Sequence, residues 1–150
     1  MMLFRLFCIV RAAPIAVALC IAGTAGAAEI GQIKVAKGDI TIERDGHAIQ
    51  ATVGAWLQAS DIVRTGADGS VGITMGDDSL LSAGPNSVLT LDRYVFDPTT
   101  RQGRFDATLN KGTLAVISGK IAKQSPDAMT VRTPTAILGV RGTEFVVSVE

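Results

Sequence analysis

Beyond residue 27, apolar and polar side chains alternate in short runs. Ile30 to Val35 alternates, and Ile40-Thr41-Ile42-Glu43 does so again. Val71-Gly72-Ile73-Thr74-Met75 and Val88-Leu89-Thr90-Leu91 repeat the pattern. Successive strand side chains point to opposite faces, so a period of two predicts strands with one buried and one solvated face. Trp56-Leu57, Asp61-Ile62-Val63-Arg64 and Leu80-Leu81 are shorter runs of the same kind. No stretch carries a convincing helical period.

Turn residues separate these runs. Asp45-Gly46 joins Ile40–Glu43 to His47-Ala48-Ile49. A two-residue Asp-Gly link is the strongest short hairpin signal, because both central residues need positive φ. Thr65 to Gly69, Gly76 to Ser79 and Gly84-Pro85-Asn86-Ser87 are further turns. They recur roughly every 8–12 residues, the spacing of an all-β sandwich, barrel or solenoid. Most of the 16 glycines fall at these points. The expected fold is therefore all-β: a single domain of short strands, β-solenoid-like, with a β-sandwich as the alternative.

The second half continues the pattern with one interruption. Tyr94-Val95-Phe96 leads into the polar stretch Asp97-Pro98-Thr99-Thr100-Arg101-Gln102-Gly103. The aromatic pair is expected either to plug one end of the core or, with Asp97, to form a partner-binding surface. Gly103–Leu109 and Thr113–Ser118 are expected to form a hairpin around Asn110-Lys111-Gly112. Gly119 to Lys123 and Ser125-Pro126-Asp127 then read as a connection. From Thr130 to Val149 two buried strands are expected, with Gly139 and Gly142 forming a corner between them. Pro134 marks a strand edge or break. Arg141 and Glu144 are close enough in sequence to pair across the corner.

The first 27 residues change the picture of the whole. Arg5 and Arg11 precede or flank an apolar run, Ala12 to Ala22, and Ala25-Gly26-Ala27 offers small residues for cleavage. This reads as a signal peptide over residues 1–27, removed to leave residues 28–150 as the domain. The run is short of the roughly 20 residues that a membrane span needs. Both cysteines, Cys8 and Cys20, lie in this leader, so the mature chain has no thiol. All 14 acidic residues follow the leader, whereas two of the 14 basic residues lie within it. The mature chain is slightly acidic, which argues against nucleic acid and against an anionic membrane surface.

Composition also narrows the chemistry. His47 is the single histidine and follows a turn, where it is expected to be solvated. One histidine and no cysteine cannot supply a Cys/His dyad or the usual zinc set. A Ser/His/Asp triad would have to use His47, and no Gly-x-Ser-x-Gly elbow accompanies it. Asp77-Asp78 is expected to be a solvated turn rather than a cation site. Ser118-Gly119-Lys120 lacks both the first glycine and the final Ser or Thr of a phosphate loop. No catalytic residue, cofactor or metal ligand is therefore assigned, and the chain reads as non-enzymatic.

A set of ordered motifs carries a family resemblance. They are Asp61 to Gly66, Gly84 to Ser87, Lys111-Gly112-Thr113-Leu114, Val131 to Ala136, and Gly139-Val140-Arg141-Gly142-Thr143-Glu144-Phe145. The chain resembles the FecR family of periplasmic domains, most strongly over residues 54–150, in a stand-alone exported form. The resemblance implies a β-rich, solenoid-like domain that binds rather than catalyses. It implies a periplasmic or secreted location and an envelope protein as partner, such as a TonB-dependent receptor or a regulator. Pro134, Gly139, Arg141, Gly142, Thr143 and Glu144 are its motif residues, expected to act structurally. Tyr94, Phe96 and Asp97 are the expected partner-binding residues.

Two other readings follow from the residues. A ligand- or polysaccharide-binding module would use Trp56, Tyr94 and Phe96 for stacking. A self-assembling structural module would use exposed edge strands.

Overall fold

The structure, a computed structural model, describes residues 27–140 and 144–150. Its first hairpin follows from the Asp45-Gly46 link, whose φ values are 51° and 76°. These positive angles suit the right-handed twist of the strands they join. The joined strands are β2 (Ile40–Arg44) and β3 (His47–Gln50), paired antiparallel from Thr41–Gln50 to Arg44–His47.

Alternation continues through β1 (Glu29–Lys37), β4 (Trp56–Gln58), β5 (Ile62–Thr65), β6 (Ser70–Met75), β7 (Leu80–Ala83) and β8 (Val88–Phe96). In β6 the pattern is strict: Val71, Ile73 and Met75 are buried and the residues between them are half-buried. The chain then runs through β9 (Gly103–Ile117), the single-turn helix α1 (Lys120–Gln124), β10 (Met129–Arg132), β11 (Ile137–Gly139) and β12 (Glu144–Val149). The all-β expectation holds.

These strands form one sheet with the order β3-β2-β5-β8-β9-β7-β6-β1-β4. β10 pairs parallel to the first half of β9 and carries β11, and β12 pairs with the second half of β9. Every other pairing is antiparallel. The sheet curls, so its two halves enclose one core. Ile33, Ile73, Leu81 and Val116 come from one half; Ile42, Val63, Leu89 and Leu109 come from the other.

β9 corrects the expected hairpin around Asn110-Lys111-Gly112. The chain bends there but does not reverse, and one 15-residue strand crosses from one half of the sheet to the other. Gly112 makes the bend with φ of 93°, and a Cβ there would lie 2.1 Å from Ser87 Oγ. The register slips beside it: Val88 faces Lys111 while Leu89 faces Leu109. A bulge of this kind redirects a strand without ending it. Ser87 Oγ then accepts a hydrogen bond from the Thr113 amide at 3.1 Å, fixing the exit.

The stretch after Ser118 also differs from the expected loop. Lys120–Gln124 forms one helical turn and buries Ile121 and Ala122. Further on, Thr133 to Ala136 makes the reversal between β10 and β11, with Pro134 exposed at its tip. Only β10 of this hairpin is well buried: Ile137 is 70% exposed. Gly139 lies in β11 with open space where a Cβ would stand, so no close approach of another strand requires a glycine there. The other corner residues, Arg141, Gly142 and Thr143, lie outside the described residues. Glu144 opens β12 and is exposed opposite Ile117.

Candidate interaction surface

Adjacent apolar residues in a strand cannot all face one core, since neighbours point to opposite sides. Leu80-Leu81, Val116-Ile117 and Val146-Val147 are such doublets. Leu81 and Val116 are buried, and Val147 packs against the core. Their partners Leu80, Ile117 and Val146 therefore project outward, 42%, 42% and 64% exposed.

Cross-strand register assembles these outward residues on one face. Val35 faces Gly72, Gly72 faces Ser82, Ser82 faces Ala115, and Ala115 faces Val146. The neighbouring row runs Trp56, Gln32, Thr74, Leu80, Ile117, Glu144. Small residues in the first row leave a shallow apolar trough of about 260 Å³ between Val35, Leu80 and Ile117. Charge is confined to its rim, at Lys34 and Glu144. An apolar centre with a charged rim is the anatomy of a protein-binding surface. Reading alternation strand by strand missed this surface; the doublets were its signal.

The corner at Tyr94, Phe96 and Asp97 is built differently. Tyr94 is half-buried and stacks edge-on against Phe105, with ring centroids 5.5 Å apart. Its hydroxyl accepts from the Asp77 amide at 2.8 Å and donates to Asp77 Oδ1 at 3.2 Å. Burial, then the nearby Asp77 carboxylate, push the Tyr94 phenol well above its ordinary range. Phe96 also packs against the core. Asp97 is exposed and accepts from the amides of Thr99 and Thr100, which hold its carboxylate below the usual range.

Asp77 corrects the expectation of a solvated Asp77-Asp78 turn. It is fully buried. Its carboxylate accepts from Ser79 N, Ser79 Oγ and Ile121 N as well as from Tyr94. Such donors offset the cost of burying a charge. Asp78 alone is solvated, 2.8 Å from Lys120 Nζ. His47 is exposed, as its place after the turn implies. No group of three His, Cys, Asp or Glu side chains among the described residues is arranged to hold a metal ion.

The comparisons agree with the motif reading. A family model described as FecR protein matches residues 61–150. The chain belongs to the FecR family. That family acts in envelope-associated signalling and regulation and is generally non-enzymatic. No curated protein and no solved structure matches the chain. The match includes β7, β9 and β12, hence Leu80, Ile117 and Val146 of the apolar face. Val35, Gln32 and Trp56 precede it. Among the described residues no helix is long and apolar enough to cross a membrane.

Proposed function

We propose that this FecR domain is exported by its first 27 residues and works in the periplasm or outside the cell as a non-catalytic binding module. Its partner is an envelope protein, a TonB-dependent receptor or a regulator being the classes that the family implies. Contact is made through the outer face of β1, β6, β7, β9 and β12. The observation that supports this is the apolar patch made by Val35 and Val146 in one row and Leu80 and Ile117 in the next, rimmed by Lys34 and Glu144. Strand order supports the solenoid-like description: β2-β5-β8-β9-β10 on one half and β1-β6-β7-β9-β12 on the other both advance with the sequence.

The test is in-cell crosslinking and affinity capture of the tagged chain, compared with Leu80→Glu and Ile117→Glu. Both positions are exposed, so the variants should unfold at the temperature of the parent and lose the captured envelope protein. Capture that survives both changes overturns the assignment of this face. A second reading places the contact at Tyr94, Phe96 and Asp97, favoured by the exposed Val95 between the aromatics. Loss of capture on Phe96→Ala and Asp97→Ala, with Leu80→Glu neutral, selects it. Edges at β3, β4, β11 and β12 that are unpaired among the described residues support self-association as the alternative, read out as crosslinked multimers of this chain alone.

A further inference from the structure

The row that ends in the apolar trough begins at Trp56, and its surroundings there are of another kind. β4 is a three-residue edge strand, yet it is firmly held. Arg44 Nη2 donates to the Trp56 carbonyl at 3.1 Å, and Gln32 Nε2 donates to the Gly54 carbonyl at 3.1 Å. Trp56 is the single tryptophan of the chain and is 50% exposed. It lines a groove of about 270 Å³. Glu29, Gln32, Lys34, Thr74 and Asp78 line the same groove.

We infer that this groove is a saccharide-binding subsite for a neutral sugar ring, on the same outer face as the apolar trough and beside it, with Lys34 and Thr74 lining both. A sugar ring presents two needs at once. Its C–H face packs on a flat aromatic surface, and its rim of hydroxyls needs both donors and acceptors at close range. Trp56 supplies the surface. Lys34 supplies donors, the Glu29 and Asp78 carboxylates supply acceptors, and Thr74 supplies either. Among the described residues Glu29 and Thr74 have no other side-chain hydrogen bond, so both are available to a ligand. Lys34 donates to Gln32 Oε1, which holds the two side chains together beside the indole.

Size and charge narrow the class. The groove is small against a drug-sized pocket and suits one or two rings of a longer glycan. Two carboxylates stand against Lys34, although Lys120 partly neutralises Asp78. A phosphorylated or carboxylated sugar is therefore disfavoured, and a neutral or N-acetylated one is favoured. A protein anchor at Trp56 would instead be ringed by apolar side chains that exclude water. Ile30 and Met75 also line this groove, but both are buried; the exposed apolar side chains lie further along the row, from Leu80 onward.

The experiment follows Trp56 fluorescence of the full chain during titration with an N-acetylglucosamine trisaccharide, with a glucose trisaccharide, and with glucose 6-phosphate. A saturable emission change is expected with at least one of the neutral sugars, and weaker binding is expected for the phosphate ester. Glu29→Ala and Thr74→Val should each weaken binding about fivefold, the worth of one hydrogen bond. Glu29 is exposed, so its variant tests the site without threatening the fold. Trp56→Ala, followed by calorimetry, should abolish binding.

Silence toward both neutral sugars overturns the proposal, as does equal binding by the Glu29 and Thr74 variants. Tighter binding of glucose 6-phosphate overturns the charge assignment and the proposal with it. An emission shift that tracks protein concentration without sugar would make the groove a contact between copies of this chain, and would also retire the saccharide reading. None of these results depends on the outcome of the Leu80 and Ile117 capture experiment.

Discussion

Arg44 closes a fork on Asp61: Nε lies 2.8 Å from Oδ1 and Nη2 lies 2.6 Å from Oδ2. Asp61 is 1% exposed and also accepts from the Gln58 amide at 2.8 Å. The pair ties the end of β2 to the start of β5 and, through the Trp56 carbonyl, to β4. Hydrogen bonding to Asp61 raises the Arg44 pKa, so the guanidinium stays charged at any physiological pH.

Removing the cation leaves a buried carboxylate short of its main partner. Arg44→Ala should therefore cost about 3 kcal/mol, the lower end for breaking a buried pair, because Arg44 itself is partly solvated. Urea denaturation of the parent and the variant measures it. Asp61→Asn should cost less, since the amide oxygen can keep the Gln58 bond. If Arg44→Ala costs under about 1 kcal/mol, the pair behaves as an exposed one.

Tyr94 makes an alkaline prediction. Its folded pKa is raised above the ordinary value of 10.0 by burial and by Asp77. A raised pKa contributes stability that is fully present below the unfolded value and is lost as pH rises toward the folded one. Stability should therefore begin to fall above about pH 10. The chain has one tyrosine, so phenolate absorbance reads this group alone. It should rise with unfolding rather than before it. Tyr94→Phe should remove this alkaline dependence and cost about 1–2 kcal/mol at neutral pH, by depriving the Asp77 amide of its acceptor.

The Asp97 turn should respond at the acid end. Amides of Thr99 and Thr100 lower the Asp97 pKa. A lowered pKa contributes order that is present above the unfolded value and lost as pH falls through the folded one. Hydrogen exchange at Thr99 and Thr100 should quicken below the usual carboxylate range while core amides hold. In Asp97→Asn that pH dependence should vanish. Exchange that quickens equally in both proteins would mean that Asp97 does not hold the turn.

Gly112 is the sharpest backbone test. Any Cβ there meets Ser87 Oγ, and the φ of 93° is strained for an L side chain. Gly112→Ala should cost more than about 2 kcal/mol. The loss should appear as a lower denaturation midpoint with an unchanged slope. A cost near that of an ordinary surface change would place the bend elsewhere in β9.

Sequence and structure part at particular residues. Asn110-Lys111-Gly112 has the composition of a turn and became a bulge. Local chemistry shows that a backbone bends but not whether its continuation reverses; here β7 and β12 were waiting to pair with the onward strand. Asp77 looked solvated because adjacent aspartates in a Gly-Asp-Asp-Ser run resemble an ordinary turn. Its burial depends on Tyr94 and Ile121, 17 and 44 residues away. Leu80-Leu81 and Val116-Ile117 carried the outward face in plain sight, but a doublet alone does not say which member faces out.

By itself the sequence determined what depends on neighbours along the chain. Period-two alternation set the all-β class, Asp45-Gly46 set the first hairpin, and the ordered motifs from Asp61 onward set the FecR family. With one histidine in the chain and cysteines only in the first 27 residues, residues 28–150 hold no cluster of His and Cys side chains. Only the tertiary structure decided what depends on register between distant strands. Val35 and Val146 are 111 positions apart, yet Gly72, Ser82 and Ala115 place them in one row. Trp56 joins the same face through Gln32 and Thr74. A period of two tells each strand which side is apolar; only hydrogen-bonded pairing across the curled sheet tells those sides where to meet.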